Sequence, residues 1–364
     1  MIHFFVNQAG RFAVEQTYLA MDGSGLRSRF NVHTYERLAA ATELPVGACV
    51  FAAVDGLGTA GTELAVRACE RLAAARPPAS LLNHPGRCLR RLELLNRLHA
   101  EGVNGFRAFT ARDAIARTRE LRFPVFVSGV DGHGGAKREL LRSPMALRSA
   151  LFQLRLRGLR MRDLAVIEFS DTREADGSFV TYAAFIVGDR VIPRHVMFSR
   201  RWATSRTRVG WSLEQTQREA RYIAENPHES ELRRLFDLGE ISYGRIDYSI
   251  RRGRPQVWKI VTNPTIGFPP DHYGDTGVYR LRRPAEKIFY RRFAAAWHAF
   301  DATAPAGGAI PFSVPDSLRS DAERDLVRAA RQERRNDILD RPSARPRAIR
   351  RRPEPDFGRT KAFP

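Results

Sequence analysis

The stretch from residue 244 to residue 264 constrains the fold more than any other part of the sequence, because two alternating runs flank a glycine-containing turn. The apolar members of the two runs are Ile246, Tyr248, Ile250, Trp258 and Ile260. Alternation with period two predicts two half-buried antiparallel strands whose apolar side chains pack inward together. If the register is symmetric about Gly253, Asp247 lies opposite Lys259. The stretch is therefore predicted to be a hairpin with two opposite charges on one face.

The length and the residue pattern predict several subdomains. A chain of 364 residues, 43% of them hydrophobic, is long for one compact unit. Strand-like and helical runs alternate over residues 1–80, which predicts an N-terminal α/β domain. We expect a second domain at residues 81–300, because proline, paired glycines and small residues interrupt the pattern after residue 300. Residues 301–364 are predicted to be a C-terminal extension, with a helix around Asp321 to Arg335 followed by a largely disordered basic tail.

The sequence indicates a cytoplasmic protein without a membrane partner. Its first residues lack a basic start followed by an apolar core, and no later run approaches the length that spans a bilayer. The three cysteines, Cys49, Cys69 and Cys88, are odd in number and lack metal-type spacing. They are predicted to be buried thiols in a reducing compartment.

The formal net charge of +20 raises the question of a nucleic-acid partner. Residues 341–364 account for +6 of it, and the remaining arginines are spread along predicted helices. We interpret them as solvated helix faces in preference to a nucleic-acid groove. Binding of nucleic acid or another polyanion stays open as an alternative.

Two glycine-rich segments follow predicted strands. The segment from Gly56 to Gly61 has the spacing Gly-x-Gly-x-x-Gly, but no acidic residue occurs between Glu70 and Glu93, where a dinucleotide site needs one. We therefore interpret it as a glycine-rich connection. The second segment contains Gly132, His133, Gly134 and Gly135. Glycines there let backbone N–H groups approach a polyphosphate, although such a loop alone is more often an ordinary turn.

Three features follow one another along the chain: the second glycine loop, the strand end at Glu168 and Phe169, and the Arg-x-Asp hairpin. Together and in this order, they resemble the ATP-grasp superfamily of carboxylate-amine ligases. The resemblance implies an α/β (α+β) protein with an ATP-grasp fold preceded by an N-terminal α/β domain. It implies that the glycine loop covers the phosphates of ATP and that Glu168 and Phe169 border the nucleotide. Arg194 would contact a phosphate, and Arg90 or Arg91 would take the part of the family's ATP-contacting lysine.

The same resemblance implies a reaction and its cofactors. In the family, ATP phosphorylates a carboxylate to an acyl phosphate, which an amine then captures; the carboxylate and amine substrates of this chain are unknown. Arg245 would stabilise the transferring phosphoryl group, and Asp247 would hold Mg²⁺. Lys259 and Val261 stand where the family has Glu and Asn, so two of three metal-ligand positions are substituted.

Three hypotheses follow from these substitutions. In the first, Lys259 binds Asp247 or a phosphate, so that ATP is bound without metal by a ligase-like protein. In the second, the site is catalytically degenerate and the chain is a pseudoenzyme that acts as a binding module. In the third, the basic surface and tail bind nucleic acid or another polyanion.

Overall fold

The computed structural model describes residues 1–20, 24–130, 140–202, 212–266 and 277–340. The strands are β1 (Ile2–Val6), β2 (Phe30–Thr34), β3 (Glu43–Val46), β4 (Ala48–Phe51), β5 (Ser80–Leu82), β6 (Ala108–Thr110), β7 (Val125–Gly129), β8 (Leu164–Glu168), β9 (Phe179–Val187), β10 (Arg190–Ser199), β11 (Tyr243–Arg251), β12 (Arg254–Val261) and β13 (Gly308–Pro311). The helices are α1 (Arg11–Ala20), α2 (Tyr35–Leu38), α3 (Thr59–Ala73), α4 (Arg91–Ala100), α5 (Ala111–Ala116), α6 (Pro144–Leu156), α7 (Leu213–Glu225), α8 (Glu229–Leu238), α9 (Gly277–Ala302) and α10 (Asp316–Asp340).

The N-terminal part of the chain forms a parallel sheet with strand order β2-β1-β4-β5. Every residue of β1 and β4 is buried, as expected for strands of a parallel sheet that is covered on both faces. The helix α3 lies beside the sheet and buries one face, which includes Leu64, Ala68 and Leu72. The three cysteines are buried and unpaired, as predicted, and burial raises the pKa of each thiol to about 12.

Two antiparallel sheets follow, one of three strands and one of four. The three-stranded sheet has the order β6-β8-β7 and packs with α5 and α6 around its own apolar core. The four-stranded sheet has the order β10-β9-β11-β12. One face of this larger sheet carries Tyr182 and Tyr248, which contact Tyr222 of α7. Its opposite face carries Phe185 and Tyr243, which contact aromatic residues of α9.

The segment after α9 packs against the N-terminal layer. The strand β13 pairs with β3, and α10 buries Leu318, Ala322 and Leu326 in the same core that contains the parallel sheet. Its helix begins at Asp316, five residues before the predicted start. This packing means that residues 308–326 belong structurally to the N-terminal layer.

A single side chain ties the parallel sheet to the four-stranded sheet. Asn83 has a positive φ of 60°, and its amide nitrogen donates to the carbonyl oxygens of Phe51 and Tyr243. Its amide oxygen accepts from the backbone N–H groups of Ser242 and Tyr243. The two sheets are thereby fixed relative to each other.

The mixed α/β class predicted from the sequence is confirmed by these parallel and antiparallel sheets. Across the described ranges, none of the helices combines the length and the apolar character needed to traverse a bilayer.

Candidate functional site

The hairpin of β11 and β12 places Asp247 opposite Lys259, as predicted. The reason is more specific than symmetry about Gly253. The turn has two central residues, Arg252 and Gly253, both with positive φ (52° and 75°), as in the turns that favour tight hairpins. A bulge beyond Asp247 then pairs Tyr248 with Val257, which leaves Trp258 as the extra residue. The extra residue brings Lys259 into register with Asp247.

The bulge makes the predicted inward position of Trp258 wrong. Its indole stacks on Phe106 with ring centroids 5.1 Å apart, and its Nε1 donates to Ser249 Oγ over 3.0 Å. Val257 takes the inward position and is fully buried. The physical reason is that the extra residue shifts the pattern by one position. Side chains of β12 before the bulge therefore point to the opposite face from the one that simple alternation predicts.

Asp247 is bound by two cations. Arg245 Nε lies 2.8 Å from Oδ1 and its Nη2 lies 3.1 Å from Oδ2, so the guanidinium contacts both carboxylate oxygens. Lys259 Nζ lies 3.3 Å from Oδ2. Arg245 also donates from Nη1 to the Thr265 carbonyl oxygen over 2.9 Å. The Lys259 side chain is 30% exposed, against 15% for Arg245 and 14% for Asp247, so it is the most open side chain of the group.

The two cations determine the protonation of the group. Burial acts to raise the pKa of Asp247, but the charges of Arg245 and Lys259 outweigh it and hold this pKa well below its usual value. For Lys259, the charge of Asp247 acts to raise the pKa, whereas burial and the charges of Arg245 and Arg91 together lower it. With all three groups ionised, the cluster carries one net positive charge.

His195 extends the cluster across the sheet. Lys259 pairs with Asp247, Asp247 with Ala183, and Ala183 with His195, so these four residues form one row across β12, β11, β9 and β10. Burial, together with the charges of Arg245 and Arg194, lowers the pKa of His195 to about 3. The imidazole is therefore neutral at pH 7. The sequence does not single out His195, because a bulge between Pro193 and His195 interrupts the alternation of β10.

The donor set at this site does not fit a magnesium ion. Mg²⁺ takes hard oxygen ligands in near-octahedral geometry, and both oxygens of Asp247 already contact cations. Asn263, two residues after the substituted position, donates its amide N–H to the Gly10 carbonyl oxygen. Across the part of the chain that the structure describes, no cluster of three His, Cys, Asp or Glu residues has the arrangement of a metal site.

Arg91 lies at the end of the three-stranded sheet. It is the first residue of α4 and is buried, and its Nη1 donates to Ser128 Oγ over 2.8 Å and to the Gly129 carbonyl oxygen over 2.7 Å. Its charge also acts on the pKa of Lys259. Arg91, one of the two arginines that the resemblance suggested in place of a lysine, therefore lies at the strand that leads into the predicted glycine loop.

Glu168 is held in a structural ion-pair network. Its carboxylate, 2% exposed, accepts from the side chains and the backbone N–H groups of both Arg107 and Arg122. Phe169 packs edge to face with Trp202 and Phe179. A role of Glu168 and Phe169 beside a nucleotide stays a prediction, and the Glu168 carboxylate is saturated with donors in this arrangement.

Arg194 is buried against α9. Its Nε donates to the Ile266 carbonyl oxygen over 3.1 Å, and its guanidinium carbon lies 4.6 Å from the ring centre of Phe289. Its predicted contact with a phosphate remains untested. The predicted glycine-loop residues Gly132, His133, Gly134 and Gly135 lie outside the described residues.

The first glycine-rich segment connects a strand to α3, as interpreted from the sequence. Gly58 precedes the helix, and the backbone N–H of Ala60 donates to Asp325 Oδ2 of α10 over 3.0 Å. An open cavity of about 960 Å³ borders this contact, lined by side chains of both signs. Since Asp325 also pairs with Arg328, and Arg324 with Asp321, we assign no ligand to this cavity.

Comparison with known proteins gives similarity in structure alone. No protein-family profile and no curated protein sequence matches the chain. The structure is similar to D-alanine–D-alanine ligase from Bacillus anthracis, with 14% identity, a TM-score of 0.44, and coverage of 81% of this chain and 99% of that one. It is also similar to a RimK domain ATP-grasp protein from Sphaerobacter thermophilus, with 15% identity, a TM-score of 0.42, and coverage of 78% and 98%.

A third similar structure is N5-carboxyaminoimidazole ribonucleotide synthetase from Thermus thermophilus, with 14% identity, a TM-score of 0.38, and coverage of 72% of this chain and 71% of that one. The resemblance to ATP-grasp proteins noted on the residues thus recurs among these structures. At such identities and TM-scores, the likeness says nothing about activity, which depends on the side chains present here.

Proposed function

We propose that this protein is an ATP-grasp-like nucleotide-binding protein whose site binds the phosphates of ATP without a divalent cation. The single observation that carries this proposal is the contact of Lys259 with Asp247 beside Arg245. An ammonium stands where the resemblance expects an acidic metal ligand, and the cluster has a net positive charge. Such a cluster attracts a phosphate and repels a divalent cation.

The residues of the site support anion binding in different ways. Lys259 offers the most open cation and three rotatable N–H donors. Arg245 is fixed by Asp247 and by the Thr265 carbonyl oxygen, so little conformational entropy is lost when it contacts a phosphate. His195 is neutral and adds no charge that competes with Lys259. Asp247 thus serves as an anchor for two cations.

ATP, when bound, supplies a transferable phosphoryl group, and the resemblance implies a carboxylate as its acceptor and an amine as the nucleophile. Arg245 would stabilise charge on a phosphoryl group, because it is the delocalised cation of the cluster. An active ligase-like protein would join the two substrates, whereas a pseudoenzyme would bind nucleotide without ligation.

Calorimetric titration of ATP into the full chain, with and without Mg²⁺, tests the proposal. We expect wild type to bind ATP without Mg²⁺ and to bind it no more tightly when Mg²⁺ is added. The double variant Lys259→Glu, Val261→Asn restores the acidic and amide positions, and we expect it to bind ATP only with Mg²⁺. Lys259→Met is the matched control for loss of charge without a new ligand, and it should bind weakly under both conditions.

The opposite pattern contradicts the proposal. If wild type binds ATP only with Mg²⁺, the metal ion is required for phosphate binding and Lys259 does not take its place. If wild type does not bind ATP at all while the double variant binds it with Mg²⁺, the chain is a degenerate member that serves another role.

A further inference from the structure

The outward face of α6 carries an unusual apolar stripe. Three large apolar side chains are exposed to solvent on this helix of the three-stranded-sheet lobe: Met145 (80% exposed), Phe152 (61%) and Leu156 (72%). They are spaced by seven and four residues, so they share one face of the helix. The buried residues Leu147, Ala150, Leu151 and Leu154 occupy the opposite face. The stripe therefore points directly away from the core and extends about 16 Å along the helix axis.

The surroundings of the stripe are basic. The segment of residues 140–162 contains no Asp or Glu, and its arginines are Arg142, Arg148, Arg155, Arg157, Arg160 and Arg162. All six are exposed. On the helix, Arg148 and Arg155 border the stripe along one side. In the described part of the chain, no carboxylate lies within ion-pair distance of either of these two arginines.

Charge and area together select the partner. A second copy of this chain docked face to face on α6 would bring two sets of arginines together, which is unfavourable. Three side chains on a convex helix also cover less than the roughly 800 Å² per partner that a stable protein interface buries. An anionic lipid surface needs neither a groove nor a large area, because shallow apolar insertion and attraction of arginines to headgroups act together.

We propose that the α6 face, defined by Met145, Phe152, Leu156, Arg148 and Arg155, docks the protein reversibly on an anionic lipid bilayer. The apolar side chains enter the boundary between headgroups and acyl chains, and the two arginines contact the headgroups. The site at Asp247 takes no part in this contact. The proposal therefore stands independently of nucleotide binding, and it revises the expectation from sequence that no membrane is involved.

Sedimentation of the full chain with lipid vesicles tests the proposal. The vesicles contain phosphatidylcholine alone, or phosphatidylcholine with about one third phosphatidylglycerol. We expect binding to the anionic vesicles only. The variant Met145→Ser, Phe152→Ser, Leu156→Ser keeps every charge, including those of residues 341–364, and should bind about tenfold or more weakly. Arg148→Glu, Arg155→Glu should weaken binding by about tenfold or more.

Two matched controls separate this face from general basicity. The double variant Arg221→Glu, Arg234→Glu reverses the charge of two exposed arginines on α7 and α8. It should bind the vesicles much more tightly than Arg148→Glu, Arg155→Glu. Leu213→Ser removes another exposed apolar side chain and should bind like wild type. Far-ultraviolet circular dichroism of each variant checks that the fold is kept.

Three results would overturn the proposal. One is failure of wild type to bind anionic vesicles, because the α6 face would then have an acidic protein as its expected partner. Another is unchanged binding by the triple serine variant, which would assign lipid binding to charge alone, including that of the basic tail. The third is a wild-type dimer in solution that the triple serine variant abolishes, because the face would then join two copies.

Discussion

The Lys259 ammonium lies 3.3 Å from Oδ2 of Asp247, across the two neighbouring strands of the hairpin. The resemblance to ATP-grasp proteins places a metal at Asp247, and this contact places a side-chain cation there. Because Arg245 contacts both oxygens of the same carboxylate, Asp247 acts as a counter-ion for two cations.

The first prediction concerns Asp247→Asn. The substitution keeps the shape of the side chain and removes the carboxylate that competes with a phosphate for Arg245 and Lys259. We expect ATP without Mg²⁺ to bind this variant about three- to tenfold more tightly than wild type. Calorimetry at low ionic strength measures the change. A metal ligand behaves in the opposite way, so Mg²⁺-dependent ATP binding by wild type that Asp247→Asn abolishes would show that the carboxylate recruits a cation from solution.

The second prediction concerns Asn83, which ties the parallel sheet to the four-stranded sheet. Asn83→Ala removes the side-chain partner of four backbone groups, most of them buried. We expect the free energy of unfolding to fall by about 3 to 5 kcal/mol, as measured by denaturation in urea. Ser242→Ala is the control, because the Ser242 hydroxyl accepts a single hydrogen bond from the Asn83 backbone N–H. Equal losses in the two variants would show that the amide of Asn83 is not the principal tie.

The third prediction concerns Glu168 and separates a structural role from a ligand role. Glu168→Gln replaces a carboxylate that two arginines contact, and we expect the free energy of unfolding to fall by about 2 to 4 kcal/mol. The measurement is made without nucleotide, so that binding does not contribute.

The exposed Arg117–Glu120 pair provides the control for Glu168. Glu120→Gln should leave the free energy of unfolding nearly unchanged, since an exposed ion pair contributes little to stability. If Glu168→Gln is as stable as wild type but binds ATP poorly, the Glu168 carboxylate acts on the nucleotide, as the resemblance implies.

The fourth prediction concerns the pH dependence of stability through His3. Burial, then the charges of His33 and of the N-terminal amine, lower the pKa of His3 to about 4. Between pH 4 and the unfolded-state pKa of about 6.5, the unfolded chain binds more protons, so stability rises with pH over this window. The contribution is complete above about pH 6.5, and roughly 3 kcal/mol is lost on acidification to pH 4.

His3→Gln removes this titration. Urea denaturation at a series of pH values should give a shallower slope between pH 4 and 6.5 for the variant than for wild type. Parallel curves for the two proteins would mean that His3 is protonated to the same extent in the folded and unfolded chains, despite its 3.1 Å contact with His33.

Much of the hairpin was predictable from the sequence, because side-chain alternation has a fixed period and a two-residue turn has a strong residue preference. The opposition of Asp247 and Lys259 was also predicted, but it depends on the bulge as well, because the two-residue turn alone would pair Asp247 with Trp258. The position of Trp258 was not predictable, since a bulge of one residue changes the face of a side chain without changing the alternating pattern elsewhere. For the same reason His195 did not stand out, although it lies in the row that contains Asp247.

The sequence by itself determined the mixed α/β class, the buried thiols and the charged face of the hairpin, since these depend on local periodicity and burial preference. The tertiary structure alone decided which charges meet. Arg107 and Arg122 converge on Glu168 from positions 61 and 46 residues away, and Asp325 reaches the start of α3 across 265 residues. Contacts of this kind depend on how sheets and helices pack, which no local pattern encodes. The cluster at Asp247 combines both levels, because register opposes its charges and packing buries them.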